Sequence, residues 1–216
     1  MKAVVVHQYG GSEVLKFEQY PGLVPGPGEV LVRVTGTSVN PVDYKRRAGS
    51  MKNFYPIQFP GLIGVDLAGT VVKIGPGVEG FSVGDQVFAM AADTYAELCV
   101  VDAAILAKIP NGLDLIQVAA LRLVTATGNQ LISATGIKAG QTVLVVGAAG
   151  NCPAFRCVHC VPVFAKPDAK TLQFMAQAVR DGKLVIPISR KLPLSQAAEA
   201  QAVAEKGGLG KVLLVA

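Results

Sequence analysis

Residues 141–153, QTVLVVGAAGNCP, decide how the chain is read. The run TVLVV is continuous and β-branched, as suits a strand covered on both faces in a parallel sheet. It leads into a turn carrying Gly147, Ala148, Ala149 and Gly150, where a bare backbone can approach a phosphate and a following helix can hold its charge. Such a turn predicts a dinucleotide-binding unit. The continuation contradicts it. Pro153, three residues past Gly150, is bulky where close helix–strand packing is wanted. Residues 151–164 are also too few for a crossover helix and its returning strand, since a strand–helix–strand unit takes about 30 residues or more. The ribose-reading side chain expected about 20 residues past the glycines would fall at residues 169–171. Asp168 and Lys170 lie beside it, in a helical stretch where they read as surface charges.

Upstream of the turn the chain reads as β-structure. Strand patterns occupy residues 2–7, 15–20, 29–34, 65–74, 86–90, 95–101 and 105–109, separated by glycine- and proline-rich turns, and the first two are expected to pair. Many short strands joined in this way predict a compact barrel. Between residues 114 and 136 the period changes to three and four, through Leu115, Val118, Ala119, Leu121, Leu123, Ala126, Gln130 and Leu131. That pattern predicts a buried helix pair, with Asn111 or Asp114 as cap.

Composition bounds the function classes. Of 216 residues 51% are apolar and 16% charged, which places the chain among globular proteins. The net charge of +5 is dispersed, the largest basic cluster being Lys45, Arg46 and Arg47, and this argues against nucleic acid as a partner. No apolar run approaches the roughly 18 residues of a membrane span, and the start MKAVVVHQYGG lacks a signal-peptide core, so a cytoplasmic location is expected. Cys152, Cys157 and Cys160 crowd the segment after the turn, and the last two have the spacing of a metal knuckle. No second knuckle follows, and incidental thiols at a junction are the simpler reading. Cys99, flanked by apolar residues, reads as an inert core thiol.

Four stretches, in order, carry a family resemblance: EVLVRV at 29–34 with SVNPVDYKRRAG at 38–49, GLIGVDLAGTVVKIGPGVEGFSVGDQVFA at 61–89, LISATGIKAGQTVLVVGAAGN at 131–151, and the tail from Ala165. They resemble the zinc-independent, zeta-crystallin-like quinone oxidoreductases of the medium-chain dehydrogenase/reductase superfamily. The resemblance implies a mixed α+β and α/β fold: a GroES-like β-barrel catalytic domain at 1–130, a truncated Rossmann remnant and atypical junction at 131–164, and a helix–strand tail at 165–216 packing back on the barrel. It implies reduction of quinones or enones by NADPH. Asn40 matches a position near the nicotinamide, Tyr44 is a candidate proton or hydrogen-bond donor or else a packing aromatic, and Thr127 matches a nicotinamide contact or else bonds its own helix. Asp66 replaces a glutamate of the zinc-dependent relatives and reads as a structural carboxylate. Gly147–Gly150 would meet the phosphates. Asn40 and Val65 stand where those relatives carry a cysteine and a histidine, so no zinc is expected. With most of the coenzyme domain missing, impaired activity and a monomer or altered oligomer are expected. The alternative is a non-catalytic remnant that binds at most a small ligand or a partner.

Overall fold

The computed structural model describes residues 1–142 and 168–216. Its centre is β3 (Glu29–Ser38), which is long enough to serve three neighbours. It pairs antiparallel with β5 (Asp66–Ile74) from Val30 to Gly36 on one side and with β7 (Leu98–Asp102) from Glu29 to Arg33 on the other. Beyond β7 its last residues pair instead with β10 (Lys211–Val215), Leu213 opposite Ser38 and Val215 opposite Gly36. β6 (Gln86–Met90) and β8 (Ala107–Lys108) extend the sheet past β5, and β9 (Ile188–Pro193) lies parallel to β10. A second sheet holds β1 (Lys2–Val6) between β2 (Leu15–Gln19) and β4 (Gly61–Leu62). The expected pairing of the first two strands is thus present. Val4 N–H donates to Tyr95 O at 2.8 Å and Glu97 N–H to Lys2 O at 3.0 Å, joining the two sheets.

Alternation along β3 explains the barrel interior. Val30, Val32 and Val34 pack with Leu67, Val71, Val87 and Val101, and burial of such side chains is worth roughly 1.5–3 kcal/mol each. A second cluster joins Val4, Val6, Ile63 and Tyr95 to Leu194, Val212 and Leu214. The carboxy-terminal segment is therefore part of the same core as the first strand. Both edges of β10 are taken, by β3 and β9, and a further strand is expected at 142–146. Of that strand only Thr142 lies within the described residues.

The helices depart from expectation in one respect. α1 (Pro41–Arg47) begins with an Asn-Pro-Val-Asp capping box, Asn40 at the cap, Pro41 at the first helical position and Asp43 reaching back to Asn40 N–H at 2.8 Å. Asp114 caps α2 (Leu115–Val118) through Ile116 N–H at 2.7 Å, and Gly136 ends α3 (Arg122–Thr135) in the left-handed region. Only the near end of this pair is buried. Val118, Ala119 and Leu121 pack with Phe88 and the buried Leu172 and Ala176 of α4 (Ala169–Arg180), and Ala126 is buried too, whereas Leu131 is 44% exposed. The apolar period continues past the point where the barrel and α4 offer it a surface. Asp168 is the exposed cap of α4 and Cys99 sits 2% exposed in the core, its thiol pushed up to about 12 by burial.

The basic cluster also divides. Arg46 and Arg47 are buried, which removes them from any surface patch. Arg47 donates to Gln201 at 2.7 Å, Glu205 at 2.5 Å and Gly10 O at 3.2 Å, tying α1 to α5 (Ala197–Glu205). Arg46 stacks its guanidinium 3.6 Å from the centre of the Tyr55 ring.

Candidate active site

The ends of β3, α1, β5, α3 and β10 converge on one buried carboxylate. Asp66 opens β5 and is fully enclosed. It accepts from Ser38 Oγ, from Asn40 Nδ2 at 2.8 Å, and from Leu123 N–H near the start of α3 at 3.0 Å. Lys211 Nζ lies 3.9 Å from Asp66 Oδ2 and donates to Val39 O at 3.2 Å and to Asn40 Oδ1. Burial lowers the Lys211 ammonium below its ordinary range, while the charges of Asp66 and Asp43 act to raise it again. A buried charge pair that is also hydrogen-bonded holds its geometry tightly, because loosening either partner strands the other.

Asp43, one helical turn from Asn40, is a different kind of carboxyl. Burial raises it from 3.8 to about 7, against the opposing Asn40 N–H bond. Tyr95 OH donates to Asp43 Oδ2 at 3.2 Å, and burial followed by the neighbouring Asp43 charge pushes the Tyr95 phenol well above its usual value. Asp43 Oδ1 has no hydrogen-bond partner among the described residues. Gly64 makes room for this arrangement: its φ is +103°, and a Cβ there would meet Thr94 Oγ1 and the Tyr95 ring at 2.4 Å.

Above the network opens a cavity of about 530 Å³, within the range typical of small-molecule sites. Asn40, Pro41 and Tyr44 form one wall, Val124 of α3 another, and the turn 207–211 a third. The structure brings Asn40 and Tyr44 to this cavity and leaves Thr127 one turn further along α3, outside its wall. Asn40 is only 1% exposed, and its amide N–H groups point inward to Ser38 O and Asp66. Both donors of the Asn40 amide are thus engaged inside the protein. Gly147, Ala148, Ala149, Gly150, Cys152, Cys157 and Cys160 lie outside the described residues. Among the described residues no cluster of three His, Cys, Asp or Glu side chains suits a metal ion, and no helix is long and apolar enough to cross a membrane.

Sequence reasoning missed Ser38, Asp43 and Lys211. Asp43 was readable as the third residue after the cap in Asn-Pro-Val-Asp. Lys211 left only a faint signal, a single cation heading the apolar strand KVLLV.

Two family models match the chain: "Alcohol dehydrogenase GroES-like domain" over residues 26–111 and "Zinc-binding dehydrogenase" over residues 85–214, more than half of the whole. The chain belongs to the quinone oxidoreductase-like family of the medium-chain dehydrogenase/reductase superfamily. Within this family, an NADPH-dependent alkenal/one oxidoreductase of Arabidopsis thaliana chloroplasts is 36% identical over 163 residues, 70% of this chain and 42% of that protein. A quinone oxidoreductase of Pseudomonas aeruginosa is 36% identical over 162 residues, 72% of this chain and 48% of its own length. The chain thus spans about half the length of the curated family relatives it matches. Among solved structures, the quinone oxidoreductase of Coxiella burnetii is 21% identical with a TM-score of 0.88, covering 100% of this chain and 99% of that one. A mycobacterial protein complexed with NADPH is 21% identical with a TM-score of 0.83, and both chains are fully covered. At these identities the likeness establishes the fold: a GroES-like barrel joined to a Rossmann-like part.

Proposed function

We propose that the chain is an NADPH-dependent reductase of quinones or enones that works without zinc and holds its nucleotide weakly. The carrying observation is the cavity over the Asp66–Asn40–Lys211 network, a mainly apolar chamber with the largely enclosed Lys211 in its wall. Val39, Val124 and Val203 suit the flat hydrocarbon part of a quinone or enone, and Lys211 suits its oxygen. The cavity has room for a nicotinamide ring beside a small substrate, with Asn40, Pro41, Tyr44 and Val124 as the residues to hold it. When bound, NADPH supplies the hydride. The protein's part is to orient the two reactants, keep water from them and set a positive charge near the oxygen that gains electrons. Asn40 and the apolar Val65 offer neither thiolate nor imidazole, which is the basis for leaving zinc out.

Weak nucleotide binding follows from Pro153 and the short junction after Gly150. In this reading residues 1–130 form the catalytic domain, 131–164 a remnant of the coenzyme domain and 165–216 a tail belonging to the barrel. The protein is cytoplasmic and, lacking the coenzyme domain through which the family pairs, a monomer or a different oligomer. A second reading, a small-ligand module without catalysis, is favoured by the same short junction. Incubation with NADPH and a quinone separates them: slow quinone-dependent loss of NADPH is expected, and its absence at saturating quinone with millimolar NADPH leaves only the second.

A further inference from the structure

Asn40 lies between an ammonium and a carboxylate, and these neighbours settle which way its amide points. Lys211 Nζ has only hydrogens to give, so the amide oxygen faces it. Asp66 Oδ2 has only lone pairs, so the amide nitrogen faces Asp66 at 2.8 Å, with Ser38 O at 3.2 Å. The carboxamide is therefore satisfied from within. Lys211 is not. Among the described residues it uses two of its three N–H groups, on Val39 O and Asn40 Oδ1, and it forms part of the cavity wall with 12% of its side chain open.

We propose that Lys211 is a positioning residue of the site: it fixes the Asn40 amide oxygen-outward and makes its own ammonium the polar group that meets a substrate carbonyl oxygen. The identity of that ligand rests on the reductase reading; the locking of Asn40 does not. When bound, NADPH would supply a hydride to a carbon of the enone or quinone and become NADP⁺, and the π electron pair would move onto the oxygen. Solvent then supplies the proton. Negative charge growing beside a fixed ammonium is stabilised most where water is excluded. Lys211 arrives from the far end of the chain, so the carboxy-terminal segment supplies a side chain to the site as well as a strand to the barrel.

The charged groups around Lys211 are Asp66 from β5 and Asp43 from α1, with Arg190 of β9 also in the cavity wall. NMR on the labelled full chain without ligand tests the first half. The Lys211 side chain is expected to titrate below the ordinary value of about 10.4, and Asp66→Asn to lower it further. Lys211→Met is expected to shift the Asn40 side-chain amide signals and speed their exchange about tenfold, Lys211→Arg to restore them, and the exposed Lys206→Met to leave them unchanged. An ordinary Lys211 titration in the wild-type chain, or an Asn40 amide indifferent to Lys211→Met, overturns the proposal. The second half uses cyclohex-2-enone labelled with ¹³C at its carbonyl. Its carbonyl signal is expected to move on binding to the wild type and to Lys211→Arg, but not to Lys211→Met. A carbonyl shift that survives Lys211→Met also overturns the proposal. Failure of the wild type to bind the enone, with Lys211 and Asn40 behaving as expected, counts against the reductase reading and leaves the lock on Asn40 standing.

Discussion

Ser38, Asn40, Asp43 and Asp66 are enclosed to within 1% at the barrel's polar centre, whereas from Leu131 onward α3 and the turn after it are exposed residue after residue. The first region is held by hydrogen bonds that tie β3, α1 and β5 to one another and to α3 and β10, and each buried polar group there depends on another. The second carries Leu131, Ile132 and Ile137 into solvent, with little to pack against among the described residues. The contrast places the protein's stability in the substrate side of the proposed site. It leaves residues 131–142 exposed, in line with the weak nucleotide binding proposed above.

Asp66→Ala should produce the largest effect. Three donors lose their acceptor and Lys211 loses its counter-charge, so a loss of about 3–5 kcal/mol is expected in urea unfolding. A loss below about 1 kcal/mol would mean that the polar centre is not the stable region. Leu121→Ala follows at about 2–4 kcal/mol, because Leu121 is buried where α3 meets the barrel and α4.

Asp43 gives a prediction with a sign. Its folded value of about 7 stands above the 3.8 of an ordinary aspartate, so between those values the folded state holds a proton that the unfolded chain has released. Its contribution therefore falls as pH rises from about 4 to about 7, by at most about 1.4 kcal/mol per pH unit. Urea midpoints against pH should show a shallower decline across that window in Asp43→Asn than in the wild type. Parallel curves would show that Asp43 is ionised in the fold. The smallest effect belongs to the exposed helix end: Leu131→Gln should change stability by about 0.5 kcal/mol or less. A loss comparable to that of Leu121→Ala would erase the contrast between the two regions.

Much of the barrel was legible because its strands alternate and its turns are marked by glycine. The pattern located β6 at its observed bounds and paired β1 with β2. The buried helix pair was legible only by half, since periodicity reports which residues share a face and not how far the opposing surface extends. Asn40 was legible as a candidate, and its capping role is written in Asn-Pro-Val-Asp. Lys211 was not, because its meaning lies in an approach to Asp66 and Asn40 from the far end of the chain. Nor did the run Lys45, Arg46, Arg47 disclose that two of the three turn inward, one to Gln201 and Glu205 and the other beneath Tyr55.

The central claim, a catalytic barrel with a weakly held nucleotide, is tested most directly by calorimetric titration of the full chain with NADPH. Saturable binding of one nucleotide per chain is predicted, with a Kd of about 100 µM, or about −5.5 kcal/mol. No measurable binding at millimolar NADPH would contradict the account and leave the barrel a ligand-binding module without its reductant.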